Sequence, residues 1–226
     1  MTKTQPIPCS KEEIHKLIES TREEPFYYML FTVAKLTGRR LGELYGSQMK
    51  EEIGRKIIGN KIEFDREGKQ VALAKTIGVY KKVPNKWIGG VKVEDIDLVK
   101  GTMKVWVLKR RKLEQDETIL PQEAINAVRY YLMIKKLNKE DYLFREKSYR
   151  AIQEAIVRFG KKAEVNHKIC FHNFRHYFVT ELKRKGWSND MIAKLTGHKT
   201  PSVLTIYDHV LAEDIREKAT KDLNDI

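Results

Sequence analysis

Residues 171–178 read FHNFRHYF, which sets His172 and His176 one helical turn apart with Arg175 beside them. Histidines at i and i+4 share a helix face and can hold a metal, and the zinc-hydrolase form of the pattern adds a glutamate directly after the first histidine. Here that position is Asn173, and Cys170 contributes only a C-x-H spacing, so no metal is expected at these histidines. The plainer alternative is a core helix whose histidines bond backbone groups. Arg175 counts against treating the segment as core alone. A guanidinium is always charged, is rarely buried without an anion, and its planar fork matches phosphate oxygens.

Outward from this stretch the chain is helical on both sides. AINAVRYYLMIKKL and SYRAIQEAIVRFGKKA precede it with apolar residues at helical spacing. After it, Ser188 caps a helix that Gly197 closes, and Thr200-Pro201 opens another with proline at the first helical position. The last segment, about residues 211–226, places Ile215, Ala219, Leu223 and Ile226 on one face of a tail helix. Toward the N-terminus, Ser10 followed by Glu13 is a capping box ahead of Ile14, Leu17 and Ile18, so a helix starts near residue 11. A second helix runs from Pro25 to about Lys35 and breaks at Gly38. Between these helical parts the period changes to two. Ile62 and Phe64 alternate with polar residues on one side of DREG, and Val71 and Leu73 on the other, which predicts a hairpin. Segments 91–98, 102–108 and 117–120 read as three short strands turning at VKG and at RRKLEQDE. The fold class expected is α+β: mainly helical, with a small antiparallel sheet of about three strands and an extra hairpin-like insertion at about 49–90.

Composition narrows the function. Against 31 acidic residues stand 44 Lys plus Arg, a formal net charge of +13. Such a surplus attracts a polyanion, and counterion release makes that attraction a source of affinity without sequence information. A Lys- and Glu-rich surface is also found in proteins from hot environments. The distribution favours a nucleic-acid partner, because Lys100, Lys104, Lys109, Arg110, Arg111 and Lys112 follow one another with no acidic residue among them. Two cysteines far apart, Cys9 and Cys170, suit a reducing compartment. The longest apolar run, Phe26 to Ala34, is too short for a membrane span, and the start MTKTQPIPCSKEE has no signal-peptide core, so a cytoplasmic protein with no membrane partner is expected.

Three further stretches combine with FHNFRHYF. TGRRLGEL at 37–44 carries Arg40, and LTGHKTPSVLTIYDHV at 195–210 carries His198, 23 positions past Arg175, and Tyr207, nine past His198. The basic turn VWVLKRRKLEQDE lies between. This ordered set resembles the tyrosine recombinase (lambda integrase) family, whose catalytic domain carries an arginine in TGxRxxEL, a lysine on a sheet hairpin, HxxRH, a GH box and a C-terminal tyrosine. The resemblance covers nearly the whole chain from residue 10 onward and implies one catalytic domain over 1–226. The separate helical DNA-clamping domain that relatives carry ahead of it is not among these residues.

The resemblance implies a role for each matched residue. Arg40 and Arg175 clamp the non-bridging oxygens of a DNA phosphodiester and His198 adds a hydrogen bond. By analogy with oxyanion donors, each supplies roughly 2–4 kcal/mol of transition-state stabilisation. Tyr207 is the nucleophile, His172 its candidate base, and Lys109, with Lys112 second, the acid that protonates the leaving 5′ oxygen. Neighbouring Arg39 occupies a position often apolar in relatives, while Glu43 and His176 are structural companions. No metal, ATP or other cofactor is implied. The implied partner is double-stranded DNA, with a homotetramer assembled on it through the C-terminal tail. Two rivals remain: a type IB-like topoisomerase, and a non-enzymatic helix-turn-helix reader built on SNDMIAKLTGHKTPSVLTIYDHV, which leaves Arg40, His172 and Arg175 unexplained.

Overall fold

The computed structural model describes residues 9–64, 70–109, 112–197 and 201–207; for 54–64, 70–78, 84–85, 108–109, 112–113, 203 and 206–207 it describes the backbone alone. The chain divides into two compact units, Met1–Gly46 with Gly89–Ile226, and Ser47–Ile88.

The larger unit starts with α1, Lys11–Glu19, set by the capping box read from sequence: Ser10 Oγ accepts from Glu13 N at 3.1 Å, and Glu13 Oε2 accepts from Ser10 N at 2.8 Å. Its buried face is Ile14, Leu17 and Ile18. Helix α2, Pro25–Thr37, has Pro25 in its first turn, where a missing N–H costs nothing, and is apolar almost all round. It is therefore the centre of the core. Met29, Leu30, Phe31, Val33 and Ala34 are fully buried, each large side chain contributing about 1.5–3 kcal/mol of transfer free energy. Phe31 packs edge-on against Phe159 of α5 (Tyr149–Lys162) and tilted against Phe174 of α6 (His172–Arg184), while Phe26 meets Tyr131 of α4 (Gln122–Ile134).

Gly38 stops α2 in the left-handed conformation, φ 62°, and the short α3, Leu41–Leu44, follows with Arg40 as its N-cap residue. The smaller unit is a two-stranded antiparallel ribbon, β1 Ser47–Phe64 paired with β2 Gln70–Ile88, with three register irregularities. The sequence hairpin about DREG is thus the far end of a ribbon that begins at the Ser47–Ile88 pair. Back in the larger unit, β3 (Ile96–Asp97), β4 (Thr102–Lys109) and β5 (Lys112–Ile119) form an antiparallel sheet in that order. Alternation along β4 buries Met103, Val105 and Val107 and leaves Lys104 exposed.

Two strand boundaries differ from the sequence reading. Most of 91–98 is not strand: Asp95 Oδ2 accepts from Lys92 N at 2.9 Å and draws Val93–Asp95 into a 3-10 turn, leaving Ile96–Asp97 as the only strand residues there. And KLEQDE is not a turn but most of β5, in register with β4 from Thr102↔Ile119 to Lys109↔Lys112. Helix α7, Asn189–Thr196, is capped by Ser188 and closed by Gly197 at φ 70°. Val179, Ile192 and Ala193 make a small second core with Leu204, which belongs to Pro201–Tyr207, a 3-10 segment rather than the α-helix expected from Thr200-Pro201. The tail helix expected at 211–226 lies outside the described residues.

Candidate active site

Arg175 sits in the first turn of α6 with 1% of its surface exposed. Its Nη1 donates to Gly38 O at 3.0 Å and its Nη2 to Thr196 O at 2.6 Å. The guanidinium plane is therefore fixed between the turn that precedes Arg40 and the residue that precedes Gly197-His198. Those carbonyls are available because both helices end there: Gly38 follows α2, and Thr196 is the last residue of α7.

Arg40 enters from α3. Its backbone N donates to Glu43 Oε2 at 3.1 Å and its Nη1 to Glu43 Oε1 at 2.8 Å, while its side chain remains 42% exposed. Glu43 itself is buried and so acts as the support expected of it. His172 opens α6, its ring 4.6 Å from that of His176 and perpendicular to it. Part of the His172 residue reaches solvent, yet loss of hydration around the ring, then the positive character of His176, Arg175 and Arg40, pushes its pKa down to about 4. Burial, then Arg175, also holds His176 below the usual imidazole value. Arg40, His172 and Arg175, from two stretches of sequence far apart in the chain, thus share one electrostatic neighbourhood.

The remaining predicted residues are less fully described. Lys109 is the last residue of β4, opposite Lys112 at the end of the sheet, and Tyr207 is the last residue of the 3-10 segment; their side chains, and His198 altogether, lie outside the description. Arg39 was read as an apolar position occupied by a cation, and its environment explains how. It is 1% exposed, its Nη1 donates to Asp116 Oδ2 on β5 at 2.8 Å, and its Nη2 donates to Glu117 O at 3.3 Å. Glu43 lies 4.0 Å away. A Cβ built on Gly197 would sit 3.6 Å from Arg39 Nη1 and 3.7 Å from Asp116 Oδ2, so this ion pair lies against Gly197. Asp116 gave no sequence signal, because its partner is 77 positions away.

Residues 87–214, more than half of the chain, match the phage integrase family. The chain belongs to that family. The matched span takes in the hairpin, HNFRH, GH and Tyr207, while TGRRLGEL lies ahead of it. Among curated relatives, this integrase-family chain is 29% identical over 136 residues to the tyrosine recombinase XerA of Pyrococcus furiosus, covering 56% of this chain and 46% of XerA. It is 31% identical over 129 residues to an uncharacterized protein of Methanocaldococcus jannaschii, covering 55% and 57%. It spans about half the length of the curated relatives it matches. Among solved structures, XerA recombinase superposes with a TM-score of 0.65 at 24% identity, over 98% of this chain and 65% of that one. A lambda integrase tetramer bound to a Holliday junction gives 0.54 at 16% identity, over 92% and 49%. The fold is that of a tyrosine recombinase catalytic domain. No helix among the described residues is long and apolar enough to cross a membrane.

Proposed function

We propose that this chain is the catalytic part of a site-specific DNA recombinase, an integrase of a mobile genetic element, that breaks and rejoins strands through a covalent 3′-phosphotyrosine. The observation that carries the reading is the convergence of Arg40, His172 and Arg175, with Arg175 held in place by carbonyls on two of the other motif segments. An anionic phosphodiester repels nucleophiles, and preorganised cations aimed at its oxygens remove that barrier. Tyr207 Oη attacks phosphorus and gives up its proton, His172 accepts it, the bond to the 5′ oxygen breaks, and Lys109 protonates that oxygen. His198 donates to the same non-bridging oxygens as the arginines. The phosphotyrosine bond keeps the energy of the broken one, so a 5′ hydroxyl reverses the step without ATP.

The depressed pKa of His172 fits this role in a specific way. At neutral pH the imidazole is unprotonated and ready to accept a proton, though weakly basic. A bound phosphate brings negative charge beside it and raises its basicity, so the base strengthens when substrate arrives. The partner is double-stranded DNA, in keeping with a net charge of +13, and the active form is a homotetramer joined through the tail at 211–226. One solved relative, XerH, is bound to a palindromic difH substrate.

The test is a denaturing gel of nicked, end-labelled duplex from a suspected target site, incubated without added divalent metal. A protein-linked band that disappears in Tyr207→Phe supports phosphotyrosine chemistry. DNA binding with no adduct overturns it in favour of a DNA reader. Relaxation of a single supercoiled duplex with no exchange between two sites would instead favour a topoisomerase.

A further inference from the structure

Away from the recombinase motifs, Cys9, Glu13 and His167 place a thiol, a carboxylate oxygen and an imidazole nitrogen within 4.8 Å of one another. His167 Nε2 lies 3.4 Å from Glu13 Oε2. Ligands at about 2.0–2.1 Å from a tetrahedral ion stand roughly 3.3 Å apart, so this separation already matches two ligands on one centre. The ring is oriented for it: His167 Nδ1 lies 3.4 Å from Lys168 O, and Nε2 is the nitrogen turned toward Glu13.

A second thiol lies nearby, outside that group of three. Cys170 Sγ donates to Asn173 Oδ1 at 3.2 Å, and the Cys9 thiol bonds the same Asn173 side chain, so the chain's only two cysteines converge on one carboxamide. Glu13 Oε2, the oxygen that faces His167, also accepts from Ser10 N. A divalent cation bound there would convert the Cys9 thiol to a bound thiolate.

We propose that Cys9, Glu13 and His167 bind one divalent transition-metal ion of the zinc class. Thiolate and imidazole donors select zinc over calcium or magnesium. The ion would be structural. It would tie the residue before α1 to the loop before α6, 154 positions later from Glu13 to His167, just ahead of His172. It takes no part in strand cleavage.

The test uses the full chain, reduced and stripped of metal, titrated with Co(II) and then Zn(II). One equivalent of Co(II) with a thiolate-to-cobalt charge-transfer band, displaced by Zn(II), is expected, together with a thermal midpoint that rises with Zn(II). Cys9→Ser and His167→Gln should each weaken Zn(II) binding at least about tenfold, and His15→Gln, on the exposed face of α1, should not. Circular dichroism of each metal-free variant separates loss of binding from loss of fold. Binding unchanged in Cys9→Ser and His167→Gln, or a thiol count showing a Cys9–Cys170 disulfide in the freshly isolated protein, overturns the proposal.

Discussion

Arg175 spends two donors on backbone carbonyls, which makes its contribution to the fold separable from its charge. Lysine keeps the charge but cannot hold Gly38 O and Thr196 O in a fixed fork. Arg175→Lys should therefore cost about 1–3 kcal/mol in a urea melt. His172 makes a different prediction, in pH. Folded, it stays neutral down to about 4, whereas an unfolded histidine takes up its proton near about 6.5. Between those values the unfolded chain binds more protons, so this group's contribution to stability is intact above the upper value and is lost as pH falls toward the lower. His172→Gln should flatten that part of the urea-midpoint profile between pH 7 and 4. Arg40→Met removes one of the cations acting on the ring and should raise the His172 titration midpoint read by NMR; an unmoved midpoint would mean that Arg40 does not face it. At this scale the sequence was a good guide wherever a residue type is tied to local spacing, as in HNFRH. It was a poor guide for Arg39, whose meaning depends on Asp116, far away along the chain.

Elements in this fold are fixed chiefly at their ends. Gly38 combines a positive φ with a close approach: a Cβ there would lie 2.5 Å from Phe178 Cδ1. Gly38→Ala should destabilise by about 2–4 kcal/mol through backbone strain and overpacking, and Phe178→Leu in the same chain should recover only the overpacking part. The middle of β5 is tied to the start of α3 by a buried charge. Asp116→Ala strands Arg39 without its main counter-ion and should cost roughly 3 kcal/mol, while the double variant Arg39→Met/Asp116→Ala should recover most of it, both read from urea melts. These ends were legible to very different degrees. The Ser10 cap, the Gly38 stop and the Ser188–Gly197 helix are set by residues within one turn of each other, so local chemistry announced them. Strand β5 was hidden because Glu114, Gln115 and Glu117 face solvent and leave it no apolar alternation to read; only its pairing with β4 defines it as strand.

For the molecule as a whole, net charge and the ribbon set the expectations. If DNA is held largely by phosphate contacts, about six of them would reduce affinity by about a thousandfold between 50 and 200 mM salt; a filter-binding series measures this directly. The ribbon Ser47–Ile88 starts and ends at one base pair of residues, and within the larger unit Val91 N donates to Leu44 O at 2.9 Å. The chain therefore closes on itself at the ribbon's base. Joining Gly46 to Gly89 should leave a cooperatively folded protein with a thermal midpoint within a few degrees of the parent, and comparing its DNA affinity with the parent's would reveal whether the ribbon touches DNA. The bonds of Arg175 carry one more implication, for how such a chain tolerates change over time. Its acceptors are main-chain oxygens, which every amino acid possesses. Substitutions at 196 can therefore pass without breaking the bond, whereas gaining or losing a single residue between the α7 start and Gly197 would shift the acceptor out of reach. Variation in length should accumulate in the ribbon, where strands can lengthen by paired residues, and be purged from the segments that Arg175 joins.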